Sequence, residues 1–305
     1  MTVVVGVAPN HASEAAIHLA VLLARSYDRD LVVASVNSVA WPPSDSRVDT
    51  EYQTFLIKNA RAAIDAAVAL IPSDIRVRTV VHGASSARRG LLEVCEAEKA
   101  VRLVLGSASE AGEGIRLGSV SFGLLQAAEI PVAIAPHGFA LEPGARLSRV
   151  TAAYSGSETS AELVLGGAAV AADAGAGIRI ASFHTRPRAF ASAGVGLQAE
   201  DQVVKQWEMT IRAHTTEILG EIEQSGRVPE SVEVVVGAGK NWREALRAIP
   251  WEGTEVLLLG SSSLGPLARI SLGSHAAKIL RAAPVPVVLV PRRATDEYLA
   301  RARAE

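Results

Sequence analysis

A chain of 305 residues is about twice the length of an ordinary single-core domain, so two domains, each able to bury its own core, are expected. With 30 Lys+Arg against 32 Asp+Glu, the formal charge of -2 exerts no general pull on nucleic acid, and no apolar run approaches the ~20 residues of a membrane helix. Cys95 is the only cysteine, which excludes an intrachain disulfide, and MTVVVGVAPN has no basic residue ahead of its apolar run as a secretory signal would, so a cytoplasmic protein is expected.

In chain order, short β-branched runs alternate with Ala/Leu-rich helical stretches. The first half predicts strands at VVVGV (from Val3), LVVASV (Leu31), RVRTVV (Arg76), VRLVLG (Val101) and PVAIAP (Pro131). The second half predicts RVTAAY (Arg149), GIRIASF (Gly177), SVEVVV (Ser231), TEVLLLG (Thr254) and PVVLVP (Pro286). Near-continuous apolar strands separated by helices imply parallel sheets covered on both faces. The fold class is therefore α/β, with two tandem doubly wound five-stranded parallel-sheet (Rossmann-like) domains. They are expected over residues 1–142 and 143–293, followed by a C-terminal tail over 294–305. The segment His137 to Ser148 links them.

The halves are copies of one another. LVLGSAS (Leu103 to Ser109) matches LLLGSSS (Leu257 to Ser263) at an offset of 154 residues, and VVHG at Val80 matches VVVG at Val234 at the same offset. LGS at Leu117 and PVAIAP at Pro131 match LGS at Leu272 and PVVLVP at Pro286 at an offset of 155, so the first loop is one residue shorter. Ser155 and Glu158, three apart after the sixth strand, have the spacing of a capping box.

The loop GSSSLGPLARISLGS, Gly260 to Ser274, leaves the carboxyl end of a strand and runs into a helix. Two readings of it are open. As an anion cradle, it offers the helix-start amides around Gly273 to Ala276, hydroxyls from Ser261, Ser262, Ser263 and Ser274, and the forked guanidinium of Arg269. Glycine at 273 removes the Cβ that would keep a phosphate away, and His275 stands within reach of a ligand there. As plain structure, Gly260 ends a strand, Ser271 or Ser274 caps a helix and Gly265-Pro266 turns the chain. The first copy, GSASEAGEGIRLGS, sets Glu110 and Glu113 against Arg116, and two carboxylates oppose a helix-end anion site. A phosphate is thus expected in the second half, with Gly106, Gly118 and Ser119 as structural remnants.

Other signals lead nowhere chemical. VGAGKNW lacks the first glycine and the final Ser/Thr of a phosphate loop, and GSSSLG is one residue too long for a nucleophile elbow. The seven histidines have no metal-ligand spacing, and no carboxylate or base stands near the loop to activate water. Arg186 and Arg188 can neutralise a polyphosphate or simply face solvent. No metal and no catalytic residue is expected.

The pattern G-x-x-[GS]-x9-G-[ST], here Gly260, Ser263, Gly273 and Ser274, followed by an amphipathic helix and PVPVVLVP, resembles the C-terminal signature of universal stress protein domains. The resemblance covers nearly the whole chain, twice, so the chain is similar to tandem-domain universal stress proteins. It implies a stress-response role and ATP or another adenine nucleotide, its ribose and phosphates wrapped by the Gly260 to Ser274 segment. It also implies an adenine met by backbone at the end of the second strand of a half, which is Phe183 in the second and Val36 in the first. Nucleotide-binding members usually carry an aspartate after their first strand; here Ala8 and Ser155 occupy that place. The alternative of the same fold is a protein-interaction or regulatory module with no ligand. The resemblance further implies that the last strand of each half pairs across a two-fold axis. That gives an intramolecular pseudo-dimer through Val132 to Ala135 and Val287 to Val290, with further association into a homodimer and protein partners left unidentified. Replacing Val288 and Val290 by lysine is expected to lower the thermal midpoint and separate the halves in limited proteolysis; unchanged stability and unchanged cleavage reject the pairing.

Overall fold

The computed structural model describes residues 2–9, 11–38, 47–108, 114–185, 197–260, 272–291 and 294. The chain divides into two compact units between Arg146 and Leu147. The first contains β1 (Thr2–Val7), α1 (Glu14–Ser26), β2 (Asp30–Ser38), α2 (Arg47–Val68), β3 (Val77–Ala84), α3 (Ala87–Ala97), β4 (Ala100–Gly106), α4 (Ser119–Ala127) and β5 (Val132–Ala135). The second contains β6 (Arg149–Ala153), α5 (Glu158–Asp173), β7 (Gly177–Thr185), α6 (Leu197–Gln224), β8 (Val232–Gly239), α7 (Trp242–Arg247), β9 (Glu255–Gly260), α8 (Ser274–Ala282) and β10 (Val287–Val290). All ten strands expected from the sequence are present, and the pairings between these strands within each unit are parallel.

The strand order is β3-β2-β1-β4-β5 in the first unit and β8-β7-β6-β9-β10 in the second. In each, the chain winds outward one way and then reverses, so a switch point lies between β1 and β4 and between β6 and β9. The first strands are buried on both faces, as a covered parallel sheet requires: Val3, Val4, Val5, Val150 and Ala152 are all fully inaccessible. Leu19, Leu22 and Leu23 of α1 and Leu163 and Val164 of α5 are buried as well.

Local chemistry sets where the helices begin. Ser13 caps α1 by accepting from the Ala16 amide. The capping box of α5 is made by Ser157 and Ser160, not by Ser155 and Glu158 as the spacing suggests. Gly156 has φ +82°, which carries the chain through one more turn before the helix and makes Ser157, in extended geometry, the N-cap. Cys95 is buried in the first unit, and desolvation pushes its thiol up to about 12, so it is no nucleophile at neutral pH.

The second unit holds a buried charged network. On one sheet face, Thr151 stands opposite Arg179, Arg179 opposite Glu233, and Arg149 opposite Glu255. Arg179, 1% exposed, donates to Glu233 Oε2 at 2.8 Å and to Glu255 Oε1 at 3.1 Å. The Thr151 hydroxyl and the Glu252 amide also donate to Glu255, whose side chain is 0% exposed. Burial pushes the Glu255 carboxyl up, while these donors and the Arg179 charge pull it back. The matching register of the first unit pairs Val4 with Val32, both fully buried.

Removing Arg179 leaves Glu255 with the more distant Arg149 Nη1, 3.7 Å away, as its remaining cation, so Arg179→Met is expected to destabilise the chain by about 3–5 kcal/mol at neutral pH. Without the nearer cation the Glu255 carboxyl is raised further above its unfolded value. Stability is then lost as pH rises through that raised value and regained as pH falls toward the ordinary carboxylate value of about 4.3. Urea denaturation at both pH values checks this: the deficit against wild type narrows in acid, and a constant deficit rejects an ionised Glu255.

Candidate functional site

The carboxyl end of the second sheet is built around a difference in strand length. The β6–β7 register ends at Ala153 opposite Ala181, and the Tyr154 amide donates to the Ala181 carbonyl at 2.8 Å. Strand β7 continues to Thr185, paired on its other side with β8, where Phe183 stands opposite Gly237. Backbone groups of alternate residues point to the same side, so the Phe183 amide and carbonyl point, like those of Ala181, toward the side where β6 has ended.

Beside this edge the chain turns at Ser155, which is exposed. The Ser155 amide donates to Ser160 Oγ at 3.2 Å, and its hydroxyl lies 3.1 Å from Ser157 Oγ and 3.3 Å from Ser160 Oγ. Ser155 thus belongs to a hydroxyl cluster at the start of α5, with no carboxylate in its place. Gly260 closes β9; a Cβ built there would meet Leu163 at 3.4 Å and nothing nearer among the described residues. The second helix start at the switch point is α8. Its N-cap is Gly273, with φ -60°, ψ 159° and no side-chain cap, and the Ala277 amide is the first to close onto it, at 2.9 Å. The amides of Ser274, His275 and Ala276 therefore have no partner within the helix, at an end where negative charge is favoured. Ser274 and His275 are exposed, and the His275 ring sits 5.2 Å from that of Trp242 at the start of α7.

The structure thus places Ser155, Phe183, Gly260, Gly273, Ser274 and His275 on elements that begin or end at the carboxyl edge of one sheet. Ser261, Ser263 and Arg269 lie outside the described residues, as do Glu110, Glu113, Arg186 and Arg188. Among the described residues no group of three His, Cys, Asp or Glu side chains is placed to hold a metal, and no helix is long and apolar enough to cross a membrane.

The equivalent end of the first unit is closed by its own bonds. The Ser107 amide donates to Ala135 O at 3.0 Å, the Ala108 amide to Arg116 O at 2.8 Å, and the Arg116 amide to Ser107 Oγ at 3.0 Å. Three amides of the loop after β4 are thereby consumed. Ser13, the cap of α1, crowds the end of β4, since a Cβ on Gly106 would fall 2.4 Å from its Oγ. Gly118 caps α4 without a side chain, as Gly273 caps α8.

Sequence reasoning passed over three aromatic residues. The Trp207 indole N–H donates to Ser182 Oγ at 3.2 Å, with the ring 6.2 Å from His184. Trp251 stacks on Phe183 with centroids 6.4 Å apart and planes 15° apart, and Trp242 meets His275. The available signal was compositional: aromatics are 4% of the chain, yet three of its four tryptophans fall in the second half.

Two doubly wound units in tandem, each with a glycine-started helix entering at its switch point, define a duplicated α/β protein of Rossmann-like architecture. The chain belongs to the universal stress protein family, whose profile matches twice, over residues 1–136 and 147–291. Universal stress proteins of Mycobacterium tuberculosis and Mycobacterium bovis are each 35% identical to it over 296 residues, covering 95% of this chain and 100% of theirs. Among solved structures, a universal stress protein of Archaeoglobus fulgidus has the same fold, with TM-score 0.57 and 16% identity over 95% of this chain and 98% of that one. A functionally unknown protein of Pseudomonas aeruginosa does likewise, with TM-score 0.53 and 15% identity over 99% and 97%. The tandem arrangement is thus common to full-length relatives.

The unequal crowding of the two strand ends is directly testable. Gly106→Ala displaces the Ser13 cap and is expected to cost about 0.5–2 kcal/mol, whereas Gly260→Ala, in ordinary van der Waals contact, stays within about 0.5 kcal/mol of wild type in urea denaturation. Equal effects reject the difference between the two ends.

Proposed function

We propose that the second unit binds an adenine nucleotide, ATP or a relative, and that the chain is a cytoplasmic, non-enzymatic stress-response protein that responds to that ligand. The observation carrying this reading is the coincidence, at one switch point, of an uncapped helix start with a strand tip that outruns its neighbour. The Ser274 to Ala276 amides, with the glycine at 273 keeping the approach clear, receive the phosphates. Family resemblance adds Ser261, Ser263 and Arg269 to them.

Magnitudes show why both parts are needed. Each helix-end interaction contributes about 0.3–1 kcal/mol, while a micromolar complex requires about 8 kcal/mol. Phosphate contacts alone fall short, so the base must contribute. A backbone carbonyl accepts from an exocyclic amine and a backbone amide donates to a ring nitrogen, which is the pattern adenine presents. Guanine offers a carbonyl where adenine offers the amine, and meets the Phe183 carbonyl acceptor to acceptor.

Binding without turnover is the reading that fits the side chains. Ser155 stands where nucleotide-binding relatives usually carry an aspartate, so no carboxylate is supplied there to hold a metal or activate water. The first unit fits the second of the two readings, a ligand-free module, because the amides of Ser107, Ala108 and Arg116 are already bonded to their own chain.

The test is to denature freshly purified protein and identify released nucleotide by mass spectrometry, followed by calorimetry on variants. Gly273→Glu puts a carboxylate at the helix start and is expected to abolish ATP binding, while Gly118→Glu in the first unit leaves it unchanged. Equal ATP affinity in wild type and Gly273→Glu rejects the site.

A further inference from the structure

The two units differ in what covers the sheet face beneath their base-reading tips. In the first unit, α3 spans 11 residues and packs directly on β2: a Cβ on Gly90 would lie 2.5 Å from Val36 Cγ1. In the second, the corresponding helix α7 has only 6 residues. Beyond it, the Trp251 indole N–H donates back to Leu246 O at 2.7 Å and its ring stacks on Phe183. On the other side of Phe183, a Cβ at Gly237 would fall 3.0 Å from Phe183 Cδ1 and 2.3 Å from Ala245 O, so the glycine leaves room for the ring. The segment carrying Trp251 is tied down in turn. Arg179, on the same face of β7 as Phe183, donates to the Pro250 carbonyl at 2.7 Å while Glu233 and Glu255 hold its other donors.

A strand tip laddered on one side only has few backbone bonds to fix it, and its position rests on side-chain packing. We propose that Trp251, anchored through Arg179 and Pro250, is a positioning residue that fixes the Phe183 tip of β7 and so sets base recognition without touching the phosphate end. The ligand half of this inference rests on the nucleotide reading above. The positioning half stands on the stack itself. Trp251 acts through Phe183, preorganising an edge that would otherwise have to be ordered on binding.

The experiment uses the full chain as wild type, Trp251→Leu, Trp251→Phe and Phe183→Leu. Amide hydrogen exchange reads the tip. In Trp251→Leu, exchange at Phe183 to Thr185 is expected to rise about two- to tenfold, the range for losing an aromatic pair, with Ile178 to Ala181 unchanged. Calorimetry with ATP and with inorganic tripolyphosphate separates base from phosphate. ATP binding weakens by about the same two- to tenfold while tripolyphosphate binding is unaltered, and Trp251→Phe, which keeps an aromatic ring, restores ATP binding. Phe183→Leu removes the same stack from the other side and gives the same pattern, so a variant that fails to fold does not decide the matter. Unchanged exchange at the tip overturns the positioning role whatever happens to ATP. Equal losses for ATP and tripolyphosphate overturn it as well. A wild type that binds no ATP overturns the nucleotide reading instead, and the exchange result tells the two failures apart.

Discussion

Parallel strands satisfy one another's backbone only as far as they run side by side; past that point the longer strand's amides and carbonyls face whatever fills the space. The second unit is organised by one such mismatch, between β6, which stops at Ala153, and β7, which continues to Thr185. The turn after β6 is made by Gly156 at positive φ and by a serine cap that pairs internally. Of the two helices that start at this switch point, α5 is therefore closed by Ser157 and Ser160, whereas α8 begins on a bare glycine. The first amides of α8, which have no partner within the helix, and the β6-facing side of the β7 tip are the polar groups that a ligand with a negative tail and an amine-bearing ring would complement.

Duplication supplied the same architecture twice, and small changes gave the two ends different surroundings. In the first unit, Ser107 and Arg116 use one another's backbone and hydroxyl groups, so these two residues are bonded within their own chain. Ser13 does for α1 what Ser157 does for α5, but it lies against the end of β4, where a Cβ on Gly106 would strike it. None of these differences alters the strand order. A domain can keep every strand and helix of a binding fold while its own bonds fill the place where a ligand would lie.

The architecture was legible because it is periodic. Ten β-branched runs and a repeat near half the chain length specify the strands, and the parallel order follows from the helices between them. The candidate site was legible as positions in the fold only where it depends on backbone, at Gly260, Gly273 and the end of the second strand. The cap of α5 was misplaced because a spacing of three fits Ser155 with Glu158 as well as Ser157 with Ser160, and the positive φ of Gly156 decides between them. Trp251 was missed because its role exists only if α7 stops after Arg247, a helix length that no local signal announces. Arg179 was missed for a related reason: a charged residue inside an apolar strand reads as solvated, and only Glu233 and Glu255, distant in sequence, make its burial tolerable.

The buried charges also bear on the mismatch itself. Side chains alternate across a strand, so slipping β7 by one residue against β6 would move Arg179 from the face that holds Glu233 and Glu255 to the opposite face, where Ile178 and Ile180 are buried. An unpaired guanidinium there would cost several kcal/mol, far more than the few apolar contacts a slipped register could recover. The ion network thus contributes little as a net source of stability and much as a register lock. Because register fixes how far β7 extends past β6, a cluster deep in the sheet determines which residue first turns its backbone to the side β6 has left. Phe183 is that residue only while Arg179 stays opposite Thr151.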